Sequence, residues 1–168
     1  MKIGIISDTH DYLSNVYTAL DLLRDQSITT VLHCGDVCGP QVMQGLAEFD
    51  VWIAQGNMDR NLGLFTASAL PLTRERLSWF HSLTFDGHSI ALLHGDDIGL
   101  LNSLILSGRY SFVLHGHTHQ RRDELFGSTR VINPGALGGT RRQNRSFCIL
   151  DLEVGVPEFI NIRSMYDL

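Results

Sequence analysis

Five apolar runs along the chain each lead into a polar fragment. Ile3-Gly4-Ile5-Ile6 precedes Ser7-Asp8-Thr9-His10, Thr30-Val31-Leu32 precedes Gly35-Asp36, and Val51-Trp52-Ile53-Ala54 precedes Gly56-Asn57. Ser89-Ile90-Ala91-Leu92-Leu93 leads into His94-Gly95, and Phe112-Val113-Leu114 precedes Gly116-His117-Thr118-His119. Short continuous apolar runs bounded by turn residues read as buried strands. After the first of them, Val16, Leu20, Leu22 and Leu23 fall near helical spacing, which predicts a helix from Leu13 to Gln26 with Ser14 or Asp11 as N-cap. Pro40 opens a shorter helix ending near Ala47, which leaves Asp36 in a strand-to-helix loop. Between Arg60 and Arg76 the pattern weakens and Pro71 interrupts it, so a surface connection with a short helical piece is expected there.

The second half reads differently. Leu77–Phe85, Asp86-Gly87 and His88–Leu93 form a hairpin signal, because Asp-Gly suits the two-residue turn between antiparallel strands. A helix from Ile98 to Leu106 follows, with Gly108 just past its end. Thr129–Ile132, Ser146–Leu152 and Glu158–Ile162 then read as consecutive strands. An alternating αβ first half and a strand-rich second half point to an α/β fold of two packed sheets with helices outside. The 168 residues suit a single domain without internal repeat or linker.

Composition narrows the setting. With 43% hydrophobic residues the chain is of ordinary globular character, and no run approaches the ~18 apolar residues of a membrane span. Met1-Lys2-Ile3 reaches Ser7-Asp8 too soon for a secretory signal, so a cytoplasmic location is expected. Cys34, Cys38 and Cys148 are then reduced thiols, and the spacing of Cys34 and Cys38 matches no usual zinc motif. A net charge of −5 argues against stable nucleic-acid binding. Arg121, Arg122, Arg130, Arg141, Arg142 and Arg145 nevertheless crowd the stretch after the last histidine fragment. They are either a solvated surface or a phosphate-capturing cluster.

The fragments at the strand ends carry the chemistry. Asp8, His10, Asp36, Asn57, His94, His117 and His119 offer carboxylate, imidazole and amide ligands, a mixture that suits Mn, Fe, Ni, Zn or Co better than Mg or Ca. Seven ligands exceed what one ion takes while keeping room for water. Two divalent ions about 3.5–4 Å apart, with one bridging carboxylate, account for all of them.

The ordered set Asp-X-His, Gly-Asp, Gly-Asn, His-Gly, Gly-His-X-His resembles the calcineurin-like metallophosphoesterases, and specifically their small single-domain phosphodiesterase branch. The resemblance implies a four-layer αββα sandwich of two mixed sheets. It implies that Asp8, His10 and His119 hold one ion, that Asn57, His94 and His117 hold the other, and that Asp36 bridges them. It further implies hydrolysis of phosphodiester bonds by attack of a metal-bridging hydroxide. Asp36 and Asp59 are the catalytic carboxylates expected on this reading, with Asp59 orienting a metal ligand; an ordinary helix N-cap is its alternative role. Asn57 and Arg60 are the expected substrate contacts, and a plain surface arginine is the alternative for Arg60.

One position departs from the pattern. Many relatives carry histidine directly after Gly-Asn, where it protonates the leaving group, but Met58 stands there and a thioether donates no proton. Asn133-Pro134-Gly135 resembles a further family segment, either a rigid turn at the site or a plain turn. His33, His81, His88 and His115 lie outside the motif; of these only His115, beside Gly116, is placed to tune the metal ligands. A small phosphodiester or nucleotide-like substrate, no membrane partner and a homo-oligomer as an open option complete the expectation. The competing function is a protein-binding scaffold on the same fold, like the retromer-subunit relatives.

Overall fold

Both faces of the central strands carry apolar side chains, and this sorts the molecule into four layers. The computed structural model describes residues 1–59, 76–140 and 143–162. Its elements are β1 (Lys2–Ile6), α1 (Leu13–Asp25), β2 (Thr30–His33), α2 (Pro40–Leu46), β3 (Asp50–Ala54), β4 (Leu77–Ser78), β5 (Phe80–Phe85) and β6 (His88–Leu93). They continue with α3 (Ile98–Leu106), β7 (Phe112–Leu114), β8 (Arg122–Phe126), β9 (Thr129–Asn133), β10 (Arg145–Asp151) and β11 (Val156–Ile162). One sheet has the order β11-β10-β1-β2-β3-β4 and the other β5-β6-β7-β9-β8.

Successive residues of a strand point to opposite faces, so each strand feeds two cores. In β1, Ile3 and Ile5 meet Leu32, Ile90, Leu92, Leu114 and Ile132 between the sheets, while Ile6 joins Val16, Leu20 and Leu23 of α1 beneath the first sheet. In β6, Ile90 and Leu92 face the inter-sheet core, and Ala91 and Leu93 pack on Leu101, Leu104 and Ile105 of α3. The order helices, sheet, sheet, helix is the αββα sandwich expected. Burial on both faces also explains why these strands read as continuous apolar runs.

Three local expectations are corrected. The N-cap of α1 is Tyr12, with no side-chain capping bond, rather than Asp11 or Ser14. The run Leu77–Phe85 is two strands: Leu77 pairs with Ile53 at the edge of the first sheet, and Phe80–Phe85 pairs with β6 in the second. Trp79 lies exposed where the chain crosses. Finally, β8 was not foreseen, because it is an almost wholly exposed edge strand without apolar alternation. The surface connection expected between Arg60 and Arg76 lies, apart from Arg76, outside the described residues.

Candidate metal centre

The strands β1, β2 and β3 run parallel, as do β6 and β7. Their carboxyl ends therefore open on common rims, where loops from distant parts of the chain meet. Backbone bonds tie the loops together: Asp8 N–H donates to Gly35 O (2.9 Å), His10 N–H to Asp36 O (3.0 Å), and Gly116 N–H to His94 O (2.9 Å). Across the two sheets, His117 N–H donates to Asp8 Oδ2 (3.1 Å).

Asp8, His10, Asp36, His117 and His119 all have φ between 43° and 66°. This left-handed region is uncommon for residues with a Cβ and persists only where surrounding contacts enforce it. Five of the seven motif residues thus share a backbone state that turns each side chain back over its strand end. Gly56 serves the same purpose sterically, since a Cβ there would lie 2.1 Å from Asp36 Oδ1.

The side chains converge in two groups. In one, His119 Nε2 lies 3.2 Å from Asp8 Oδ1 and 3.2 Å from His10 Nε2, and His10 Nε2 lies 3.7 Å from Asp36 Oδ2. In the other, His94 Nε2 lies 3.1 Å from Asn57 Oδ1, 3.3 Å from His117 Nδ1 and 3.6 Å from Asp36 Oδ2. Ligand atoms of Asp8, His10 and His119 lie close enough together to share an ion, as do those of Asp8, Asp36 and His94. All seven motif residues are brought together; Arg60 lies outside the described residues.

The protonation pattern makes the second group informative. His94 Nδ1 lies 2.8 Å from Cys34 O, and a carbonyl only accepts, so this nitrogen carries the ring proton. In the neutral ring Nε2 is then a lone pair, aimed at an amide oxygen, a second imidazole and a carboxylate. Such a convergence of electron pairs is stabilised by a cation. Asp8 Oδ1 makes the same point: it is buried and makes no well-aligned hydrogen bond among the described residues, its near neighbour being the His119 Nε2 ring nitrogen at 3.2 Å. Burial raises the Asp8 carboxyl, yet His119, the Ser7 hydroxyl and His94 outweigh it and hold the group below its ordinary value, in the form that binds metal. His10 is lowered, chiefly by burial and against the pull of Asp36 and Asp8, which keeps its nitrogen free for ligation. The donor set fits divalent transition metals.

Residues outside the ligand set, several of them already named from the sequence, hold the ligand-bearing loops in place. Asp59 is buried, and its carboxylate accepts from Cys38 N–H and Gly56 N–H, both at 2.9 Å. It therefore clasps the loops that carry Asp36 and Asn57. Asn133 Nδ2 donates to Gly116 O (2.8 Å) and Thr118 Oγ1 (3.1 Å), so the Asn133-Pro134-Gly135 turn holds the His117 loop. His115 points its Nδ1 to Gly116 O (3.1 Å) rather than toward the cluster. Cys38 Sγ lies 3.6 Å from His10 Nδ1, a contact that the zinc-motif test passes over.

The arginine cluster resolves in favour of internal pairing. Arg130 makes a bidentate pair with Asp123 (2.6 and 2.9 Å), Arg122 pairs with Glu124, and Arg121 bonds Ser146 Oγ. Arg145 donates to the carbonyls of Gly138 and Gly139. None of these four lines the site cavity. Arg141 and Arg142 lie outside the described residues.

His33 is the residue that sequence reasoning most undervalued. It is fully buried, accepts from Gly35 N–H at Nδ1 (3.0 Å) and meets Thr9 Oγ1 at Nε2 (3.2 Å), locking two ligand-bearing loops. Burial pushes it down to about 3. Above the unfolded value near 6.5 neither state holds its proton; below that value the unfolded chain is protonated while the folded one is not until about 3. Stability should therefore fall as pH drops through this window, by up to about 1.4 kcal/mol per pH unit from this group. Urea unfolding of chelator-treated protein at pH 7 and pH 5.5 should show it, and His33→Gln should flatten the dependence. An undiminished slope in that variant would assign the acid sensitivity elsewhere.

A two-sheet α/β sandwich with a histidine–carboxylate cluster on its strand-end rim defines a class of metal-binding hydrolase folds. Residues 1–155 match the calcineurin-like phosphoesterase superfamily domain, and the chain belongs to that superfamily. A phosphodiesterase of Methanocaldococcus jannaschii is 34% identical over 156 residues, covering 91% of this chain and 94% of that protein. A solved archaeal phosphodiesterase superposes with a TM-score of 0.87 at 33% identity, over 96% of this chain and all of the other. The fold extends to an Entamoeba histolytica Vps29 (TM-score 0.72, 21% identity, 97% of this chain and 100% of that one). It extends also to the E. coli phosphoesterase YfcE (TM-score 0.71, 20% identity, 90% and 89%). No helix among the described residues is long and apolar enough to cross a membrane.

Proposed function

We propose that this chain hydrolyses phosphodiesters at a centre of two divalent metal ions. The observation that carries the reading is the convergence of Asn57 Oδ1, His117 Nδ1 and Asp36 Oδ2 at 3.1, 3.3 and 3.6 Å from His94 Nε2, whose other ring nitrogen faces the Cys34 carbonyl. Asp8, His10 and His119 would hold one ion, Asn57, His94 and His117 the other, and Asp36 both. When bound, the ions would supply Lewis acidity toward the phosphoryl oxygens and an activated water at neutral pH. The chain's own part is to hold the ligands in place before metal arrives and to leave an open cavity of about 550 Å³ above them. Similarity to phosphodiesterases over nearly the full length supports the diester specificity.

Met58 sets the limit of the chemistry. It lines the cavity with its side chain largely exposed, and it offers no proton to a departing alkoxide. Turnover should therefore favour activated leaving groups such as p-nitrophenolate. Met58→His should raise turnover on an alkyl phosphodiester by about 10²-fold, the lower range of general-acid catalysis, while changing an activated aryl diester little. Equal effects on both esters would refute this role. The hydrolytic reading itself is tested with Mn or Ni and bis(p-nitrophenyl) phosphate: absence of metal-dependent turnover would leave a protein-binding scaffold as the better account.

A further inference from the structure

We infer that Tyr12 is a specificity-determining residue, a platform on which an aromatic arm of the phosphodiester stacks; the inference rests on the hydrolytic reading above. A cavity of about 550 Å³ is far larger than a phosphate group needs and falls in the range that holds a whole small-molecule ligand. Among the described residues it is lined by His10, Asp36, Asn57, His117 and His119 of the cluster and by Tyr12, Met58, Gly139 and Thr140. Met58 follows Asn57, whose Oδ1 lies 3.1 Å from His94 Nε2. Tyr12 belongs to the His10 side, where Gly139 also sits, because a Cβ on Gly139 would lie 2.7 Å from the His119 ring and 3.2 Å from His10.

Tyr12 has no evident structural use for its ring. Its carbonyl accepts the first helical N–H groups of α1, from Asn15 and Val16 at 3.1 Å, but its side chain makes no capping bond. The residue stays 40% exposed although it opens a helix packed on the core. Its position is nevertheless defined. Gly138 has no left-handed backbone to excuse a glycine, yet a Cβ there would lie 2.1 Å from Thr9 O and 3.0 Å from Tyr12 Cβ. Glycine at 138 thus lets the chain pass close to the Cβ from which the Tyr12 ring projects, and Tyr12 lines the same cavity as His10 and His119. An amphipathic ring at the edge of a phosphate-directed cluster is suited to a planar group carried by the same substrate, whether aryl or nucleobase.

The test compares bis(p-nitrophenyl) phosphate with methyl p-nitrophenyl phosphate, which share a leaving group and differ in the retained arm. Tyr12→Ala should raise KM for the diaryl ester by about tenfold, within the range of a base–aromatic stack, with kcat and metal affinity unchanged. Tyr12→Phe should behave as wild type. If the stacked arm is the retained one, KM for the methyl ester stays put; if it is the leaving one, both KM values rise together. Either pattern supports the platform. Unchanged KM values in Tyr12→Ala, with wild-type turnover, would overturn it and leave the hydrolytic reading intact. No metal-dependent turnover of either ester by the wild-type protein would sink that reading and the platform with it.

Discussion

Asp36→Asn should lose both metal-dependent turnover and the thermal stabilisation that metal confers. Asp36 faces both ligand groups through one oxygen, with Oδ2 at 3.7 Å from His10 Nε2 and 3.6 Å from His94 Nε2. Its other oxygen accepts from Met58 N–H at 2.9 Å. An asparagine has one carbonyl and one amide group. Either the amide points into the cluster, where it repels cations, or it turns to Met58 and leaves a buried N–H without an acceptor. Turnover should fall by more than about 100-fold, beyond what changes outside the ligand shell cause. A ligand at a hundred times its dissociation constant adds about 2.7 kcal/mol to stability, roughly 5–10 °C in Tm for a chain of this size. Manganese added to the chelated wild-type protein should give a rise of that order, and to Asp36→Asn a far smaller one. A variant that keeps the full shift would remove Asp36 from the metal centre.

Asp59→Ala should be the most damaging change outside the ligands. It strips the acceptor from Cys38 N–H and Gly56 N–H, each bonded at 2.9 Å, on a residue that is only 2% exposed. Leaving a buried donor unpaired costs about 1–3 kcal/mol, so the two together cost roughly 2–6 kcal/mol in urea unfolding of the metal-free protein. Because those groups position the Asp36 and Asn57 loops, metal affinity should also drop by about 10- to 100-fold. Asp59→Asn keeps one acceptor and should fall between. The pairing of the two losses is the diagnostic. A variant as stable as wild type and equally avid for metal, yet inactive, would mean that the carboxylate acts directly on substrate.

Some of this was written plainly along the chain. The seven motif residues were legible because each follows an apolar run, and the runs had to be strands given their length and their β-branched content. The layers were legible for the same reason: α3 spans Ile98–Leu106 as its apolar spacing predicts. The failures have physical causes. The segment Arg122–Phe126 forms β8 on the strength of its pairing with β9, from Arg122 opposite Asn133 to Phe126 opposite Thr129, and such backbone pairing leaves little mark on an exposed edge. Leu77 and Phe80 look like one strand because apolar character does not say which sheet receives it. The arginine cluster looked available for phosphate because its partners, Asp123, Glu124 and Ser146, are chosen by strand register rather than by proximity in sequence alone.

The order of candidate ligand types along the chain was therefore settled by sequence: which residue types stand at which strand ends, and what chemistry they suit. Tertiary structure decided what those residues could do together. It placed Asp36 between two histidine groups, buried Asp8 Oδ1 beside the His119 ring without a well-aligned hydrogen bond, and held His33 neutral between two loops. It also put five of the motif residues into left-handed backbone, a state that Asp and His visit more readily than most side chains but that local sequence alone does not impose. The division follows from the range of the forces. Hydrophobic periodicity and turn chemistry act over a few residues, whereas the bond from Asp8 to His117 spans 109 positions and exists only once both sheets have packed.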